Sequence, residues 1–200
     1  MSGPFQQFTD SDTADLIRDH PLAWVRAADA VEGHDTLLPL LADRDGSGAV
    51  VALIGHMARR NPLFGALSDR PRASILFQGP HGYLSPSWVR DRRWAPTWAY
   101  ARLRIAADVH FDPDATDAAL AALVDAMEQD RPNRWHIAEM GPRYRKLAGA
   151  IVAFRAEIRG VDGCFKLGQD ERPETLADIL AHLPDRALAA WIRRFNPGRC

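Results

Sequence analysis

Residues 36–57 read TLLPLLADRDGSGAVVALIGHM. Two apolar runs of strand length, Thr36–Ala42 and Ala49–Met57, flank Asp43-Arg44-Asp45-Gly46-Ser47-Gly48. Glycine, aspartate and serine accept the tight backbone of a turn, so the stretch specifies a β-hairpin. Working outward, Leu22–Ala28 and Ala73–Gln78 read as further strands. Thr97–Phe111 is a long strand, because Leu103, Ile105, Ala107 and Val109 alternate, and Ile151–Arg159 alternates in the same way. The spacing predicts helices over Ser11–His20 (N-cap Ser11 or Asp12, stopped by Pro21), over Asp114–Gln129 (apolar face Leu120, Leu123, Val124, Met127) and over Pro142–Ala148. Arg172–Leu183 and Asp185–Phe195 read as C-terminal helices separated by Pro184. Six or seven strands and three to five helices, with no βαβ rhythm, predict a mainly β, α+β protein: one antiparallel barrel domain with peripheral helices.

The 200-residue length suits one domain with a sizeable core. The net charge of −1 gives no reason to expect nucleic acid or an anionic membrane as partner. Only Lys146 and Lys166 are lysines; the remaining cations are arginines, which present forked donors to phosphate. Two cysteines, Cys164 and Cys200, are too few for a disulfide framework or a zinc site. A reducing, cytoplasmic setting is expected, since Met1–Asp10 lacks the marks of a signal peptide and no apolar run is long enough to span a bilayer.

Four segments could carry chemistry. Gly55-His56-Met57-Ala58-Arg59-Arg60-Asn61-Pro62 ends a strand in a basic turn, which suits a phosphate or is simply a solvated turn. Phe77 to Trp88 combines Gly79 and Gly82, which allow close backbone approach, with Gln78, Ser85, Ser87 and Trp88 as donors, acceptors and a stacking face. A proline-stiffened loop at a subunit interface would look the same. Pro96-Thr97-Trp98-Ala99-Tyr100 opens the long strand with aromatics that suit either a ring ligand or the core. Phe165-Lys166-Leu167-Gly168-Gln169-Asp170 holds one of the two lysines, a ligand contact or a solvated charge. No Gly-x-Ser-x-Gly elbow, dinucleotide fingerprint or P-loop is present. His110 and Asp112 share a strand face, but no third residue at suitable spacing completes a metal site. No residue stands out as a general acid or base, although His56 and His81 titrate in the useful range.

These motifs, in this order, resemble the PaiB family of FMN-binding negative transcriptional regulators. Thr36-x-Leu38-Pro39-Leu40-Leu41, Ala150-Ile151-Val152-x-Phe154 and Lys166-Leu167-x-Gln169 extend the resemblance from about residue 16 to 183. It implies a split barrel like that of pyridoxamine-phosphate oxidases, dimeric, with FMN at the subunit interface. It places His56, Arg59 and Asn61 at the phosphate and ribityl end, and Gln78, Ser87 and Trp88 along the flavin. Thr97, Trp98, Tyr100, Lys166 and Gln169 would complete the pocket. The chain departs from the family pattern at Leu37 (histidine in the family), Ala99 (asparagine), Gly168 (serine) and Asp170 (asparagine). Each lost polar contact is worth about 0.5–1.5 kcal/mol, so an altered pocket with weakened or lost FMN binding is the alternative expectation. The resemblance leaves two roles open: a flavin-dependent oxidoreductase acting on a small molecule, or a regulator that acts without reading DNA directly.

Overall fold

The computed structural model describes residues 3–28 and 35–199. Its strands are β1 (Leu22–Ala27), β2 (Thr36–Arg44), β3 (Val50–Ala58), β4 (Arg72–Leu84), β5 (Thr97–Asp112) and β6 (Ile151–Lys166). They close into a barrel in the order β1-β2-β3-β6-β5-β4. The antiparallel split-barrel class expected from the sequence is the one the chain adopts. Two compact units divide it: one from Asp10–Phe77 and Arg104–Val161, the other from residues up to Thr9, Gln78–Leu103 and residues from Asp162 onward.

In the first unit, α1 (Asp10–Asp19) starts ahead of the expected cap, with Asp10 and Asp12 in its first turn, where negative charge suits the macrodipole. Its last turn closes with the His20 N–H donating to the Leu16 carbonyl, and Pro21 follows. The β2–β3 hairpin forms, with its connection narrowed to Asp45–Ala49 because β2 runs on through Arg44 and β3 starts at Val50. The Asp45 carboxylate accepts from the Ser47 N–H (2.8 Å), the Ser47 hydroxyl (2.6 Å) and the Ala49 N–H (3.1 Å), the turn chemistry expected of aspartate. Gly55 of the basic motif lies opposite Leu40 on β2 and Phe154 on β6. A Cβ there would stand 2.5 Å from Leu40 Cδ2 and 2.6 Å from Phe154 Cζ. A side chain on this rung would have to displace Leu40 or Phe154, both buried in the core.

The helix α3 (Thr116–Glu128) sits where the 3.6 periodicity placed it, but it buries Thr116 and Ala119. Leu120, Leu123 and Val124 are half-buried and Met127 is exposed. It docks by its first turn, where Thr116 Oγ1 accepts from the Ala153 N–H at 3.2 Å. The outer wall of β4, β1 and β2 is bare: Leu76, Trp24 and Leu37 are direct ladder neighbours and are 39%, 46% and 41% exposed.

In the second unit, β4 runs on through Gly79-Pro80-His81-Gly82 to Leu84, where the sequence read as loop from Gly79. Gly79 and Pro80 are both buried, so the inward–outward alternation changes phase there, and proline and glycine are tolerated at such irregularities. β6 likewise continues past Arg159, the expected end, to Lys166. Gly160 is the reason it read short, because glycine is a weak strand former. The helices α5 (Pro173–His182) and α6 (Arg186–Arg194) form as expected. Phe165 stacks on Phe195 (centroids 4.8 Å) and Trp191 (6.0 Å) and contacts Phe8 (5.3 Å). Cys164 is buried and free; Cys200 lies outside the described residues. Among the described residues no helix is long and apolar enough to cross a membrane.

Candidate functional site

The basic motif belongs to the first unit. Its turn is held by the backbone, with the Arg59 N–H donating to the Ala150 carbonyl and the Asn61 N–H to the Ala58 carbonyl, each at 2.9 Å. Asn61 caps α2 (Pro62–Asp69), its Oδ1 accepting from the Leu63 N–H at 3.0 Å, while its Nδ2 lies 3.2 Å from Thr36 Oγ1. The side chain placed at a phosphate by the resemblance is thus already engaged, tying the turn to the start of β2. Arg59 and Arg60 are exposed, and neither side chain has a partner among the described residues.

His56, on β3, is half-buried, and its Nδ1 is buried with no hydrogen-bond partner among the described residues. A buried N–H without an acceptor is costlier than a bare lone pair, so we assign the proton to Nε2. Burial lowers the His56 pKa below its ordinary value, because the cation would be poorly solvated. With this tautomer, burial favours the neutral imidazole and leaves Nε2–H as its donor.

The remaining candidates belong to the second unit. An open cleft of about 320 Å³ is lined by Leu84, Trp94, Thr97, Trp98, Lys166, Gly168, Asp170 and Glu171, with Ala95, Pro96 and Ala99. Inside it the Lys166 ammonium donates to Thr97 Oγ1 at 2.7 Å. The Trp94 indole N–H donates to Glu171 Oε2 at 2.9 Å. Trp98 is 55% exposed and meets Tyr83 edge-on at 5.9 Å. Tyr100 stands two residues along the same strand, with Cys164 Sγ 3.8 Å from its hydroxyl. That contact, then burial, raises the Tyr100 pKa and keeps it protonated.

The structure thus brings Thr97, Trp98 and Lys166 together and leaves other expected residues outside the cleft. The Gln78 amide reaches His81 at 3.2 Å. Ser87 serves the turn at Pro86–Trp88, where Ser85 Oγ accepts from its N–H at 3.2 Å and the two hydroxyls lie 2.7 Å apart. Gln169 closes its own loop: Oε1 accepts from the Leu167 N–H (2.8 Å) and Nε2 donates to the Phe165 carbonyl (2.6 Å). Two departures from the family pattern acquire a physical setting. Gly168 has φ +85°, and a Cβ there would stand 2.9 Å from Leu176 Cδ1, so a serine would be strained. Ala99 is a buried position in the cleft wall. Glu171 had no sequence signal: its role comes from an indole 77 residues away.

The barrel, its bare apolar wall and this cleft define a split-barrel protein. The chain belongs to the family described as "Putative FMN-binding domain", whose family model matches residues 1–160. A curated relative, the Protease synthase and sporulation protein PAI 2 of Bacillus subtilis (strain 168), is 25% identical over 66% of this chain. The chain spans 64% of that relative's length, a little under two thirds. Among solved structures, the FAD and heme binding protein from Mycobacterium smegmatis has a TM-score of 0.60 at 22% identity, over 89% of this chain and 80% of that one. The flavocytochrome Anf3 from Azotobacter vinelandii also has a TM-score of 0.60, at 16% identity over 81% and 69%. Both share the fold.

Proposed function

We propose that the protein binds a flavin nucleotide, FMN as first candidate, and works as a homodimer. The observation that carries the reading is the cleft, which Thr97, Trp98 and Lys166 line together and in which Thr97 holds the Lys166 ammonium. A flat heteroaromatic ring with carbonyl acceptors suits a cleft that offers a charged donor at Lys166 and the tryptophans Trp94 and Trp98 among its lining. Within the first unit by itself, Arg59 and Arg60, without partners among the described residues, offer forked donors of the kind a phosphate accepts. A bound flavin supplies redox chemistry at its ring, and this chain's residues bind and orient it. The row Leu76, Trp24, Leu37 supports the dimer, since a contiguous apolar patch on a barrel wall is suited to a second copy. A role in negative regulation of transcription would run through the ligand, because a net charge of −1 offers little attraction for DNA.

The test is the ultraviolet–visible spectrum of the purified protein, mass identification of any released compound, and titration of FMN and FAD followed by quenching of flavin fluorescence. Lys166→Met removes one charge-assisted hydrogen bond and is expected to weaken binding about tenfold or more. A colourless protein that quenches neither flavin refutes the reading.

A further inference from the structure

The segment 167–171, which contributes Gly168, Asp170 and Glu171 to the cleft, is held by side chains from further along the chain. Three alternate carbonyls along the segment accept hydrogen bonds from side chains that follow α6. Asn196 Nδ2 donates to the Leu167 carbonyl at 2.8 Å, and Arg199 Nη1 donates to the Gln169 carbonyl at 2.9 Å. Arg199 Nη2 donates to the Glu171 carbonyl. The two side chains are also bonded to each other, Arg199 Nη1 to Asn196 Oδ1 at 2.7 Å. Asn196 is 1% exposed and also holds the Ile192 carbonyl at 2.8 Å, which fastens the segment to α6. The carbonyls of 167, 169 and 171 are thus held, and Gly168, Asp170 and Glu171 of the same segment line the cleft. The anchoring reaches the opposite wall as well, because the Glu171 carboxylate accepts from the Trp94 indole.

We propose that Asn196 and Arg199 are positioning residues for the cleft: they set the segment 167–171, and through Glu171 the Trp94 wall, against the Lys166–Thr97 pair. This rests on the reading of the cleft as the flavin-ring site. Both residues lie beyond the stretch, residues 1–160, that the family model matches. A guanidinium suits the task because its forked donors serve several carbonyls at once in fixed geometry, which a single ammonium does less well.

The test uses the full chain and its variants Arg199→Ala and Arg199→Lys, with Arg193→Ala on the exposed side of α6 as control. Amide hydrogen exchange without ligand is expected to rise about tenfold across 167–171 in Arg199→Ala and to stay unchanged across Ile151–Arg159. FMN affinity should fall about tenfold, and the absorption bands of the bound flavin should shift. Arg199→Lys should restore part of each effect and Arg193→Ala should reproduce none. If Arg199→Ala fails to fold, Arg199→Lys carries the measurement, with a smaller rise in exchange at the same amides. Unchanged exchange across 167–171 in either case overturns the inference, whether or not flavin binds. Altered exchange in a protein that binds no flavin leaves Arg199 as the anchor of the segment and removes the ring-site reading alone.

Discussion

Asn61→Ala separates two accounts of the basic motif. If Asn61 chiefly serves a phosphate, its loss leaves the ligand-free protein as stable as before. The structure gives the opposite expectation, because the side chain caps α2 through the Leu63 N–H and pairs with the Thr36 hydroxyl. Removing an N-cap costs about 1 kcal/mol. Losing a part-buried hydrogen bond costs about 1 kcal/mol more. The total is about 2 kcal/mol, which for a chain of this size lowers the melting temperature by about 4–8 °C. Thermal melting followed by circular dichroism, without flavin, measures it. Asn61→Asp sharpens the test: it keeps the cap and suits the helix N-terminus, yet places a negative charge beside Arg59. It should melt within about 2 °C of the parent while losing affinity for FMN. A ligand-free Asn61→Ala protein that melts with the parent would refute the structural account.

Three further outcomes follow from groups described above. The lowered pKa of His56 means that the unfolded chain takes up a proton which the folded chain refuses. Its contribution is therefore present above about pH 6.5 and is lost as pH falls below it; the melting temperature of the parent should drop more steeply from pH 7 to 5 than that of His56→Gln, and parallel slopes would contradict this. Gly55→Ala forces a methyl group against Leu40 and Phe154 and should cost about 1–3 kcal/mol in denaturant unfolding; an unchanged midpoint would mean that the barrel interior gives way freely. Trp24→Arg places a charge at the centre of the bare apolar row and should turn the proposed dimer into a monomer in sedimentation velocity; a dimeric variant would move the interface elsewhere, and a monomeric parent would refute the dimer.

Strand and helix positions were legible wherever a local rule governs them. The alternation of Leu103, Ile105, Ala107 and Val109, all buried, and the aspartate-led turn of the hairpin needed no knowledge of the rest of the chain. The extension of β4 through Pro80 was not legible, because proline and glycine argue against a strand unless the surrounding sheet accommodates the irregularity. The basic motif was legible as a turn, but the capping role of Asn61 depends on Thr36, 25 residues earlier. Lys166 and Thr97 were singled out separately, and only folding shows them bonded across 69 residues. Arg199 was legible only as part of a small basic tail with Arg193 and Arg194, and Asn196 not at all, since backbone carbonyls, which every residue has, are their partners.

The walls of the cleft meet over long stretches of chain: 69 residues between Thr97 and Lys166, and 77 between Trp94 and Glu171. The β2–β3 hairpin, by contrast, closes over the few residues of its turn. Contacts of such high sequence separation lose more chain entropy before they gain anything, so they form late. We expect refolding to complete the hairpin well before the cleft exists, and flavin added at the start of refolding to leave the first kinetic phase untouched and alter only the last.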